Sequence, residues 1–111
     1  MDLINLYEAR EKITKDINTS ITTMKKAGFE LAKAERDYRV EKAKAIVILK
    51  ADKVPATLII QLVNGIESIA DLRMFRDNAE VLYKTAHEFI LVKKKELQII
   101  SDDIANIRMG V

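Results

Sequence analysis

The chain has 111 residues, 49% of them hydrophobic, with 19 basic and 17 acidic side chains and a net charge of +2. That length fits one domain and that apolar content argues against global disorder, while the near-balanced charge argues against a dedicated nucleic-acid binder, which carries a strongly basic face. The absence of cysteine removes disulfides, thiolate catalysis and thiolate-bound metal, and fits a reducing compartment.

Asp2 is placed to cap a first helix with its carboxylate. From Leu3 an alternating step of three and four residues runs to Ala45 and Ile48, and only Arg10, Ser20 and Glu41 on that stripe are not apolar. A 3.5-residue repeat sustained this long keeps one seam facing a partner helix, so it predicts a long, coiled-coil-like helix over about 2–52. Its weakest stretch is Asn18 to Gly28, rich in short polar and β-branched residues, where a bend or fray is expected. Pro55 bars Val54 from helical geometry and ends the helix near Ala51 to Lys53.

A short helix over about 56–64 follows, carrying Leu58, Ile59, Leu62 and Val63. Asn64-Gly65 offers a left-handed stop, and Asn64 three residues before Glu67 offers a capping box for the next helix. That last helix is expected over about 66–108. Its stripe runs from Ile69 and Leu72 to Ile104 and Ile107, with Arg76 and Lys93 as the charged exceptions.

The predicted fold is all-α: two long antiparallel helices with a short helix at the hairpin tip, forming a coiled-coil-like helical bundle in a single domain, 1–111. Apolar residues flanking the stripes, among them Phe29, Val47, Leu82 and Phe89, widen the apolar face beyond one hairpin's seam, so a homo-oligomer, dimer or higher, is expected. If Asp52 and Ile66 lie level, Glu41 comes within a turn of Arg76, and the two seam charges form an inter-helix pair.

The residues offer little for catalysis. His87 is the single histidine, Gly28, Gly65 and Gly110 are isolated, and Ser20, Ser68 and Ser101 lack a histidine at helical spacing. No Glu-x-x-His pair exists for a di-iron bundle, so neither an enzyme nor a cofactor is expected. Asp102-Asp103 reads as a solvated face, and Lys93-Lys94-Lys95 as snorkelling side chains with packed stems. Thr57 to Leu72 fails as a helix-turn-helix. Gln61 stands where a small residue is wanted, Asp71 stands where an apolar one is wanted, and the third helix runs on too long for a groove reader. The longest apolar runs are far short of a membrane span, and the N-terminus lacks a basic region followed by an apolar core, so the expected location is cytoplasmic.

Tyr38-Arg39, Leu49-Lys50, Val54-Pro55-Ala56-Thr57, Gly65, Leu72-Arg73, Arg76-Asp77, Ala79-Glu80, Tyr83-Lys84, Ala86 and Glu88 carry a resemblance. Through them Asp37 to Arg108 resembles a group of small helical proteins of unknown function encoded by phages and prophages of Gram-positive bacteria, near replication and recombination genes. The resemblance implies a phage origin and an early role inside the bacterial host cell. It implies no catalytic residue.

Two surfaces are candidates for binding. Pro55, Thr57, Leu58, Ile59 and Leu62 form a compact, partly apolar tip for a protein partner, because loops on rigid scaffolds concentrate binding residues. Residues 25–53 carry nine bases against five acids, and Lys33, Arg36, Arg39, Lys42, Lys44 and Lys50 form the alternative, a phosphate-contacting strip for nucleic acid. The leading expectation is a non-enzymatic, oligomeric protein that binds a component of host or phage DNA metabolism or defence. A structural coiled-coil spacer is the third reading.

Overall fold

The computed structural model describes residues 2–110, and three helices account for nearly all of them: α1 Leu3–Ala51, α2 Ala56–Asn64 and α3 Glu67–Arg108. The order is long, short, long, with no strand among the described residues. The chain divides into two compact units. One takes in the chain up to Lys26 together with the chain from Lys84 onward, and the other is Ala27–Tyr83.

Local chemistry explains where the helices start and stop. The Asn5 N–H donates to Asp2 Oδ1 at 2.9 Å, capping α1. The hydroxyls of Thr14, Ser20, Thr22 and Thr23 donate to carbonyls four residues back, so the polar stretch is satisfied on its own helix and α1 runs unbroken through residues 18–28. At its C-terminus Lys53 takes a left-handed φ of 61°. Its N–H donates to the Lys50 carbonyl and the Val54 N–H to the Leu49 carbonyl, each at 3.1 Å. This is a Schellman motif built without glycine, and Leu49 and Val54 close it by packing on one core.

The stop expected at Asn64-Gly65 differs. Gly65 keeps a right-handed helical φ of −87° while its N–H donates to carbonyls of α2, so the chain turns into α3 without a left-handed residue. The Ala70 N–H donates to the Ile66 carbonyl, which puts Ile66, rather than Asn64, at the N-cap of α3.

In the first unit Leu6, Ile13 and Ile17 of α1 and Ile90 and Ile104 of α3 are buried. Lys93, a seam exception, extends its ammonium to 3.7 Å from Asp16 on the opposite helix and 3.3 Å from Glu96 on its own, with the Phe89 ring 5.4 Å away. An ion pair across the seam thus replaces simple snorkelling of Lys93 into water.

In the second unit the core is Tyr38, Ile59, Val63 and Ile69, with Ala45, Ile46, Leu49, Val54 and Leu72 packed against it. At 1.5 Å per residue α2 is about 13 Å long. Its buried pair, Ile59 and Val63, meets the last turns of α1, so α2 lies back along α1 and α3 starts well before the level of α1's end. That offset sets the register. The Tyr83 ring packs at Gly28, where an added Cβ would stand 3.1 Å from Tyr83 Cε2, and Arg76 meets Glu35.

The expected Glu41–Arg76 pair is therefore corrected. Arg76 lies 3.5 Å from Glu35, about a turn and a half earlier on α1, while Glu41 is exposed and pairs with Lys44 at 3.2 Å. The inward stripe of α1 has also moved: Lys42, Ile46 and Leu49 are partly buried, whereas Ile48 is 60% exposed. A straight helix drifts about 20° per heptad from a 3.5-residue repeat, and over six heptads that amounts to about one residue position.

Candidate interaction surfaces

Pro55 fixes the start of α2 with φ −56°, and only Ile59 and Val63 of this helix turn inward. Of the predicted tip residues, Pro55 and Thr57 are exposed, Leu58 is 46% and Leu62 50% exposed, and Ile59 is buried. Ile59 thus belongs to the core and is removed from the candidate binding surface, because at about 100° per residue it points with Val63 toward Tyr38 and Ile69. Leu58 and Leu62 stay exposed on one flank of α2 and Ile60 on the other, with the uncharged polar Thr57, Gln61 and Asn64 on the side opposite the core. No residue from Val54 to Ile66 carries a charge.

Of the six bases of the predicted nucleic-acid strip, Lys33, Arg36, Lys44 and Lys50 fall on one side of α1, while Arg39 lies at its margin and Lys42 away from it. Lys33 and Lys42 are nine residues apart, which at about 100° per residue sets them on opposite sides of α1. Arg36 pairs with Asp37 at 3.1 Å, Arg39 with Glu35 at 2.7 Å and Lys44 with Glu41 at 3.2 Å. Lys42 donates to the Tyr38 hydroxyl at 3.4 Å, while Lys33 and Lys50 are exposed. The local excess of positive charge is thus gathered mainly on one side of α1 and partly neutralised by the acids that pair with Arg36, Arg39 and Lys44.

Arg76 holds the second unit's polar seam. Its guanidinium donates to Asp77 from Nε at 3.2 Å and from an NH2 group at 2.9 Å, and its carbon stands 4.5 Å from the centre of the buried Tyr38 ring. The hydrogen bond it donates to Asp77 and the charges of Asp77 and Glu35 raise its pKa above the ordinary arginine value, against the opposing effect of burial, so it stays cationic. This arrangement ties helices together and leaves no reactive group free.

His87 and Asp102-Asp103 are exposed, and Asp102 accepts from Gln98 at 2.9 Å. No group of three or more metal-binding side chains converges among the described residues. No helix among them is long and apolar enough to cross a membrane.

Surfaces the heptad reading did not single out are the outward apolar ones. Eighteen large apolar side chains are exposed among the described residues, against nine buried. In the second unit Ala43, Lys44, Val47 and Ile48 line a shallow depression of about 470 Å³ on α1, and Glu30, Lys33, Ala34, Asp37, Leu72 and Phe75 line one of about 180 Å³ between α1 and α3. The sequence signal for them was the set of apolar residues beside the main stripes. Comparison of the chain with known protein families, with curated proteins and with solved structures finds no match in any of the three.

Proposed function

We propose that this chain is a non-enzymatic helical protein that acts by binding another protein through the exposed Leu58–Leu62 flank of α2, and that it associates with copies of itself. The observation that carries the reading is the two-to-one excess of exposed over buried large apolar side chains, far beyond the scattered exposure of a self-sufficient monomer. On α2, Leu58 and Leu62 lie one turn apart beside exposed Pro55 and Thr57, an uncharged patch suited to an apolar groove or helix of a partner. The resemblance to small phage and prophage proteins supplies the setting: a modulator of host or phage DNA metabolism or defence in the bacterial cytoplasm. The pairing of Arg36, Arg39 and Lys44 with acids of α1 weighs against the nucleic-acid reading.

The test is a nuclease-treated pull-down from a Gram-positive host lysate with the wild-type chain and with Leu58→Glu, with circular dichroism confirming the fold of the variant. A protein retained by the wild type and lost from the folded variant supports the reading. Identical captures, or a capture that vanishes with nuclease, contradict it.

A further inference from the structure

We infer that copies of this chain join head to tail, the basic outer face of α1 in one copy docking on the acidic outer face of α3 in the next. The inference deepens the self-association proposed above and is independent of the α2 surface.

Both faces belong to the Ala27–Tyr83 unit. On α1, Phe29, Ala43 and Val47 are exposed with Val40 half-buried between them, and at about 100° per residue the four fall on one side of the helix. Tyr38, nine residues from Val47, points the opposite way into the core, so this side faces away from α3. Within about 60° of its midline stand Lys33, Arg36, Lys44 and Lys50 and no acid. The depression lined by Ala43, Lys44, Val47 and Ile48 is on this side.

The first half of α3 carries the complement. Met74 and Val81 are exposed and seven residues apart, on the side of α3 opposite the seam residues Ile69, Leu72 and Arg76. Within the same angular range stand Glu67, Asp71 and Asp77 and no base. The α1 face reaches about 27 Å from Phe29 to Val47 and the α3 face about 21 Å from Glu67 to Val81, of which the apolar part, Met74 to Val81, spans about 10 Å at 1.5 Å per residue.

Basic with basic and acidic with acidic cannot meet without like-charge repulsion, so a two-fold contact of either face with itself is disfavoured and a contact of one with the other is favoured. Because the two faces point apart within one hairpin, a copy cannot satisfy its own pair. Each copy offers one face of each kind, and such a heterologous contact extends into an open chain or closes into a ring. Arg36, Lys44 and Asp77 already have neighbours of opposite sign on their own helix, which leaves Lys33, Lys50, Glu67 and Asp71 as the charges free to steer the contact. A single helix pair of this length buries less than a permanent interface does, so association is expected to be concentration-dependent and to weaken with salt.

The experiment is light scattering of the full chain across concentration, at low salt and at about 0.5 M NaCl, for the wild type, Val47→Asp, Val81→Arg and an equimolar mixture of the two variants. Both positions are exposed, so circular dichroism should show both variants folded. The wild type should exceed the monomer mass at low salt and fall toward it in high salt. Each variant alone should be monomeric, and the mixture should recover association, because one variant keeps an intact α1 face and the other an intact α3 face. A variant that keeps the wild-type mass, a mixture that stays monomeric, or a wild type that is monomeric at every concentration overturns the inference. Leu58→Glu should retain the wild-type mass, which separates failure of this contact from failure of the α2 binding surface.

Discussion

Val63 is fully buried, at 0% exposure, where α2 meets the hairpin, so Val63→Ala measures how firmly the short helix is held. The substitution removes two carbon groups at about 0.8 kcal/mol each, plus a cavity contribution, because Tyr38, Ile59 and Ile69 around it are anchored on three different helices. Alanine's better helix propensity returns about 0.5 kcal/mol. The expected loss is about 1.5–2.5 kcal/mol in urea unfolding, together with faster amide exchange across Ala56–Asn64. Leu62→Ala one position away is the control. At 50% exposure it should cost under about 1 kcal/mol. Equal losses for the two substitutions would refute the packing described for α2, since the reasoning depends on Val63 being inside and Leu62 outside.

The register has its own test: a double-mutant cycle of Glu35→Gln with Arg76→Leu should give a coupling of about 0.5–1 kcal/mol, kept small because both side chains are partly solvated, whereas Glu41→Gln with Arg76→Leu should give none. A coupling confined to Glu41 would show α3 displaced by a heptad. At the end of α1, Lys53→Gly should raise stability by about 0.5–1 kcal/mol by relieving the left-handed backbone, and Lys53→Val should lower it by at least about 1 kcal/mol, read from thermal unfolding. Equal melting temperatures for the two would mean that Lys53 does not hold that conformation in solution.

The stripe read on α3 is kept: Ile69, Ile90 and Ile104 are buried, the positions between them are partly buried, and only Ile107 at its end is exposed. Pro55 placed the break because its missing donor and fixed φ act locally, and local causes are legible in a single chain. The pairing of Arg76 was not legible. Glu35 and Glu41 are equally good partners by type, and the choice depends on how far α2 folds back along α1, which only the three-helix packing of Tyr38, Val63 and Ile69 decides. The same packing took Ile59 from the surface and left Leu58 on it. The left-handed Lys53 had no signal of its own, since neither Lys nor its neighbours mark that conformation in sequence, and Gly65, where a left-handed stop was expected, caps α2 in a right-handed conformation. On α1 a rigid seven-residue count carried Glu41 and Ile48 inward, and the true 3.6-residue turn carried them out.

The central claim is that the exposed apolar side chains are association surfaces. Hydroxyl-radical footprinting of the wild-type chain, read by mass spectrometry at dilute and at high concentration, tests it residue by residue. The account predicts that labelling of Phe29 and Met74 falls as concentration rises, while Leu58 and Leu62 on α2 label at one rate throughout, being kept for a different partner. Labelling of Phe29 and Met74 at the same full rate at every concentration would contradict it.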